Sequence, residues 1–125
     1  MKQFFLLILL FVALHIQAQP VMKVDKALHV FPDAKEGELL THYYKITNVG
    51  NQPLLLSEYK VACSCTKVEL PNKPILPQET YSLKLTFDTH AKYYQQDRTV
   101  LLQTNTKKNT EKLRFKAFVI PKEEK

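Results

Sequence analysis

Glycine is almost missing from this chain: Gly37 and Gly50 are the only two among 125 residues. A loop that cradles phosphate needs several glycines close together, so that backbone N–H groups converge on the oxygens. That class of nucleotide site is excluded. Cysteine is equally scarce, with Cys63 and Cys65 standing one residue apart in "VACSCTKVEL". No Ser/His/Asp set is recognisable, and neither Glu79 nor Asp88 has a second carboxylate at a spacing suited to acid–base work. Sustained helical periodicity is absent as well. The positive charges are many, for a formal net charge of +6, but they do not cluster. Lys84, Lys92, Arg98, Lys107, Lys108, Lys112, Arg114 and Lys116 are spread through the second half, mostly alternating with apolar residues. Phosphate binding demands a concentrated stripe with stacking aromatics, so a nucleic-acid partner is not expected.

The longest apolar run is eleven residues, Phe4 to Leu14. Crossing the hydrocarbon of a bilayer takes about 20. With Lys2 before it and small Ala18 after it, the run has the three parts of a secretory signal peptide. The expected division is residues 1–18 as a cleaved leader and 19–125 as a single domain, with Gln19 at the new N-terminus. Loss of Lys2 lowers the formal charge to +5. The remaining 107 residues suffice for one core. The mature protein is then exported, to the periplasm or the cell surface, with no integral membrane segment.

What the mature chain does have is period two. In Thr80–Phe87, Tyr81, Leu83, Leu85 and Phe87 point one way while Ser82, Lys84 and Thr86 point the other. Lys112–Val119 repeats the pattern, with Leu113, Phe115, Ala117 and Val119 inward. "RTVLLQT" (Arg98–Thr104), "LLTHYYKITN" (Leu39–Asn48), "PLLLSEYKV" (Pro53–Val61), "TKVEL" and "ALHVF" near residue 30 complete the set. About seven antiparallel strands at this spacing predict an all-β sandwich or barrel. The turn "NVGNQP" lets Gly50 take positive φ. Pro71, Pro74 and Pro77 suit an extended connector along an edge, with Ile75 and Leu76 packing inward.

"EGELLTHYYKITNVGNQPLLL", "ACSCT", "PILPQETYSLKLTFDT" and "TVLLQTN" together resemble the DUF1573 family of bacterial exported domains. The resemblance covers about Phe31 to Val119 and implies an Ig-like sandwich of the major-sperm-protein and PapD type. The motif positions carried over are Gly37 and Glu38, Asn48 and Gly50, Cys63, Cys65 and Thr66, Pro77 and Glu79, Thr104 and Asn105. Three family glycines are replaced: Ser64 stands between the cysteines, Gln78 stands in the Pro-Gly-Glu turn, and "AKYYQQD" follows the long middle strand. Each replacement removes a place where positive φ costs nothing, so a changed turn geometry is expected there.

Four chemistries compete for Cys63 and Cys65. Export favours a disulfide. However, next-but-one α-carbons in an extended strand sit at or beyond the upper end of the bridging range, about 4.4–6.8 Å, unless the chain bends at Ser64. A redox or intermolecular pair is the second possibility. The third is a soft-metal site, which with two thiolates suits Cu(I) better than zinc; otherwise no cofactor is expected. A cysteine nucleophile needs a histidine within hydrogen-bond reach, which spacing alone does not show. Packing without chemistry completes the range. The function these readings support is a protein-binding or assembly module of the bacterial envelope, contacting its partner by strand-edge pairing. The alternative is thiol redox or copper handling through Cys63-Ser64-Cys65.

Overall fold

The computed structural model describes residues 2–3 and 18–123. The apolar run at 4–14, and with it nearly all of the expected leader, lies outside the described residues. Nine strands follow: β1 (Met22–Val24), β2 (Leu28–Val30), β3 (Ala34–Lys35), β4 (Leu39–Asn48), β5 (Leu56–Lys60), β6 (Thr66–Glu69), β7 (Thr80–Asp88), β8 (Tyr94–Thr104) and β9 (Thr110–Ile120). They form two sheets. Sheet A has the order β1-β4-β7-β6; sheet B has β2-β9-β8-β5, with β3 also pairing β9. The architecture is the Ig-like sandwich that the resemblance implies.

The core lies between the sheets and is filled by the inward sets already visible in the sequence. Leu83, Leu85 and Phe87 of β7 face Leu113, Phe115 and Ala117 of β9, and all six are buried. Tyr44 and Ile46 of β4 join them, as do Val100 and Leu102 of β8. The phenol of Tyr44 cannot stay unpaired there, and it donates to the Arg114 carbonyl at 2.7 Å, tying sheet A to sheet B. Burial pushes the Tyr44 phenol far above its ordinary pKa.

Several expectations need correction. The strand count exceeds seven because β1 and β3 are only three and two residues long, too short for alternation to announce them. The pairing is not wholly antiparallel, since β2 and β3 both run parallel to β9. The strand read from Pro53 begins at Leu56, with a register shift between Leu56 and Glu58. The strand read from Arg98 begins earlier, at Tyr94. Arg98, one of the charges that alternate with apolar residues, points inward instead: it stands opposite Phe115 on the inward register, its guanidinium over the ring of Phe87. Of the connector pair, Ile75 is buried and bridges Leu54, but Leu76 is exposed.

The φ of Gly50 is not positive. Close approach explains the glycine instead. A Cβ there would meet the Gln19 carbonyl oxygen at 2.3 Å and the Val21 nitrogen at 2.5 Å. Two of the three replaced glycine sites tell the opposite story, whereas Ser64 has no positive φ. Gln78 keeps positive φ at 70°, Ala91 has 57° and Tyr94 has 62°. Leu76-Pro77-Gln78-Glu79 is closed by a Glu79 N–H to Leu76 C=O bond of 2.9 Å, with proline second and positive φ third. That is the type II turn which glycine would favour. The turn geometry persists without the residue that makes it easy.

Candidate functional site

The family-motif residues separate to opposite ends of the sandwich. At the end where β4 stops and β7 starts, Asn48 is fully buried. Its amide nitrogen donates to the Gln52 carbonyl at 2.7 Å and the Ile75 carbonyl at 2.9 Å. Its Oδ1 accepts from Gly50 N–H at 3.0 Å and Val21 N–H at 3.4 Å. One side chain thus fastens β1, the 49–52 turn and the proline connector. Gln78 N–H to Asn48 C=O, at 2.8 Å, adds the type II turn containing Pro77. Asn105, in the β8–β9 turn, works likewise on the lead-in to β5. Its Oδ1 accepts from Leu55 N–H at 2.8 Å and its amide donates to the Pro53 carbonyl at 3.0 Å. Gly50, Pro77 and Asn105 therefore sit in bracing positions rather than around reacting groups.

The other end holds Cys63 and Cys65. They are not in a strand: residues 62–65 form a bend and turn, and the pair comes just before Thr66, the buried first residue of β6. This bend brings the two α-carbons to 5.1 Å, within disulfide range, and the sulfurs are bonded to each other. Thr66 N–H donates to the Cys63 carbonyl at 3.2 Å, and Asp88 N–H donates to the Cys65 carbonyl at 2.9 Å, which pins the loop to β7. Serine at position 64 is compatible with the bend. Bonded sulfurs offer no thiolate to Cu(I), so a copper site there requires reduction first.

Beneath the loop lies a cleft of about 400 Å³. Its floor is the outer face of sheet A, where Leu39, Lys67, Thr86 and Asp88 project, and its far wall carries His90 and Lys92. Pleat geometry explains the floor: Leu39 pairs Asp88 and Lys67 pairs Thr86, so all four share the face turned from the core. Two ammonium groups and one imidazole face a single carboxylate. Sequence reading singled out the sulfurs but missed these neighbours, which come from β4, β6, β7 and the turn after it. Among the described residues, no three His, Cys, Asp or Glu side chains converge as a metal site.

A second feature escaped the sequence. His29 of β2 and His42 of β4 stack across the two sheets, ring centroids 3.5 Å apart and planes within 8°. Phe31 and Tyr44 meet the stack edge-on. Burial, with Lys26 nearby, holds the His29 pKa below its ordinary value; burial, with His29 itself, does the same for His42. Parallel imidazole planes direct their nitrogen lone pairs side by side, so the pair does not chelate one ion.

The outer face of sheet B near the end of β9 carries large exposed apolar side chains set among charged ones. Leu28 and Val30 of β2 pair Arg114 and Lys116, placing them on the same face as Phe118 and Ile120. Tyr94 lies beside Phe118, ring centroids 6.2 Å apart. Val30 is 61% exposed and Phe118 39%. Among the described residues, no helix is long and apolar enough to cross a membrane.

The model of a family described as "Protein of unknown function (DUF1573)" matches residues 22–119. No curated protein matches the chain. Among solved structures, a protein of unknown function from Porphyromonas gingivalis W83 superposes with a TM-score of 0.70 at 18% identity, over 81% of this chain and 48% of that one. A PapD-like domain of human CEP192 gives 0.65 at 12% identity, over 85% and 89%. The VesB protease of Vibrio cholerae gives 0.58 at 11% identity, over 88% and 34%. This chain thus spans about half of the Porphyromonas protein and a third of the protease. At these identities the likeness concerns the fold.

Proposed function

We propose, for a chain that belongs to the DUF1573 family, that the domain is an exported protein-binding module of the bacterial envelope, periplasmic or at the cell surface. The observation that carries this reading is the outer face of sheet B, where exposed Leu28 and Val30 of edge strand β2 share a face with Phe118 and Ile120 of β9, near Tyr94 of β8, with Asp97, Arg114 and Lys116 between them. Large exposed apolar side chains gathered on one face suit an interaction surface better than solvent. The adjoining edge is the three-residue strand β2. Ala27 C=O and Phe31 N–H bond to β9, and the backbone groups of Leu28 and Val30 alternate away from it, without a partner strand among the described residues and so able to take an added one. The partner is an extended protein segment whose alternate side chains rest on Val30 and Phe118. The signal-like pattern at residues 2–18 and the bonded cysteines support an exported setting.

The test is capture of partners from envelope fractions with the purified domain, identification of the bound protein, and titration of that protein against variants. Val30→Lys and Phe118→Lys should each weaken binding at least tenfold while circular dichroism is unchanged. Cys63→Ala/Cys65→Ala, if folded, should bind as the wild type does. Undiminished binding by the two lysine variants refutes the face. Lost binding by the folded double-alanine variant moves the contact to the disulfide.

A further inference from the structure

The cleft under the Cys63–Cys65 loop is a separate matter from the outer face of sheet B, at another place on the molecule. We propose that it is a thiol–disulfide exchange site that favours small anionic thiols.

Three observations combine. First, both cysteines are half-buried and line an open cleft of about 400 Å³, so a small molecule can reach the bond. Second, the two sulfurs are not equivalent. The Cys65 backbone N–H donates to Cys63 Sγ at 3.1 Å, while Cys65 packs against the hydrophobic core. A hydrogen bond stabilises thiolate over thiol, and the sulfur with the more stable thiolate is the better leaving group. Cys63 therefore departs and Cys65 is attacked. Third, the ammonium groups of Lys67 and Lys92 line the cleft, with Asp88 its only carboxylate. Cationic side chains in a concave site concentrate anions and favour thiolate over thiol at the approaching reagent.

The thiolate of a carboxylate-bearing thiol attacks Cys65 Sγ in line with the S–S bond. A sulfur–sulfur bond forms to Cys65, the original bond breaks, and its electron pair leaves on Cys63 Sγ, held by the Cys65 N–H. A second thiolate attacks the external sulfur of the mixed disulfide and releases Cys65. The products are a protein dithiol and one oxidised small disulfide, so two electrons pass from two thiols to the protein. Run backwards, the reduced pair reduces an anionic small disulfide.

The probes are reduced glutathione, which is anionic, and cysteamine, which is cationic. The reference is the oxidised peptide Ala-Cys-Ser-Cys-Thr, which has the ring but no cleft. At low salt the glutathione-to-cysteamine rate ratio should be at least tenfold higher for the protein than for the peptide. That excess should shrink with added salt and vanish in Lys67→Ala/Lys92→Ala. Acid quenching, alkylation and peptide mass should find glutathione on Cys65 and the alkyl group on Cys63. A ratio equal to the peptide's, or one indifferent to salt and to the lysines, overturns anion selection. Glutathione on Cys63 overturns the assignment of the leaving sulfur. The salt series on the wild-type protein decides the matter even if the double variant is unstable.

Discussion

Replacing Asn48 isolates the part of the motif that braces the fold. Asn48→Ala removes three well-formed hydrogen bonds, to Gly50, Gln52 and Ile75, and one long one, to Val21. Not every orphan costs the same. The Ile75 carbonyl retains Leu54 N–H at 2.8 Å, and Gln52 lies in an exposed turn where water replaces the amide. Three bonds at about 1 kcal/mol each give a loss of about 3 kcal/mol. For a domain of this size that lowers Tm by roughly 12–24 °C. Asn48→Asp keeps the shape but turns a carboxylate oxygen toward two carbonyls. Its folded-state pKa is then raised above the ordinary value of about 3.9. A raised pKa stabilises below the unfolded value and loses that contribution as pH rises through the folded one. The deficit against wild type should therefore be smaller at pH 4 than at pH 7. Urea unfolding at 25 °C, with the m-value checked for constancy, measures both variants. An alanine deficit under about 1 kcal/mol, or an aspartate deficit independent of pH, refutes the hub.

Other outcomes follow from separate features. Gln78→Gly should stabilise the domain: positive φ costs an ordinary residue about 1–2 kcal/mol, while glycine's unfolded-state entropy returns about 0.4–1, leaving roughly 0.5–1 kcal/mol in urea unfolding. Both stacked histidines have lowered folded-state pKa values. Their contribution is present above about pH 6.5 and is lost as pH falls through the lowered values. Tm should accordingly drop faster between pH 7 and 5 in the wild type than in His42→Phe, and equal slopes contradict the pairing. Tyr44→Phe should cost about 1–2 kcal/mol by leaving the Arg114 carbonyl without its cross-sheet donor. Gly50→Ala should displace the 19–21 segment, seen as faster amide exchange at Val49, whose N–H bonds Val21.

Alternation carried most of the fold. Leu83, Leu85, Phe87, Leu113, Phe115 and Ala117 read as inward from spacing alone, and all are buried. Elements too short to alternate, such as Ala34–Lys35, gave no such signal. Arg98 broke the rule because its long stem reaches an aromatic ring from an inward position. The importance of Asn48 was visible only as a motif residue. Its four partners lie between 2 and 27 positions away, and nothing local shows that they meet. The same holds for the cleft, where one turn and three strands supply the neighbours of a sulfur pair that the sequence did single out.

The parallel pairing of β2 and β3 with β9 has a mechanical consequence. Strands near the two ends of the chain lie side by side and point the same way, Leu28 beside Arg114 and Ala34 beside Val119. A pull that separates the termini cannot peel these ladders one rung at a time. It slides β9 past its neighbours and loads their rungs together, so the domain resists tension along its own length more than tension applied across a hairpin.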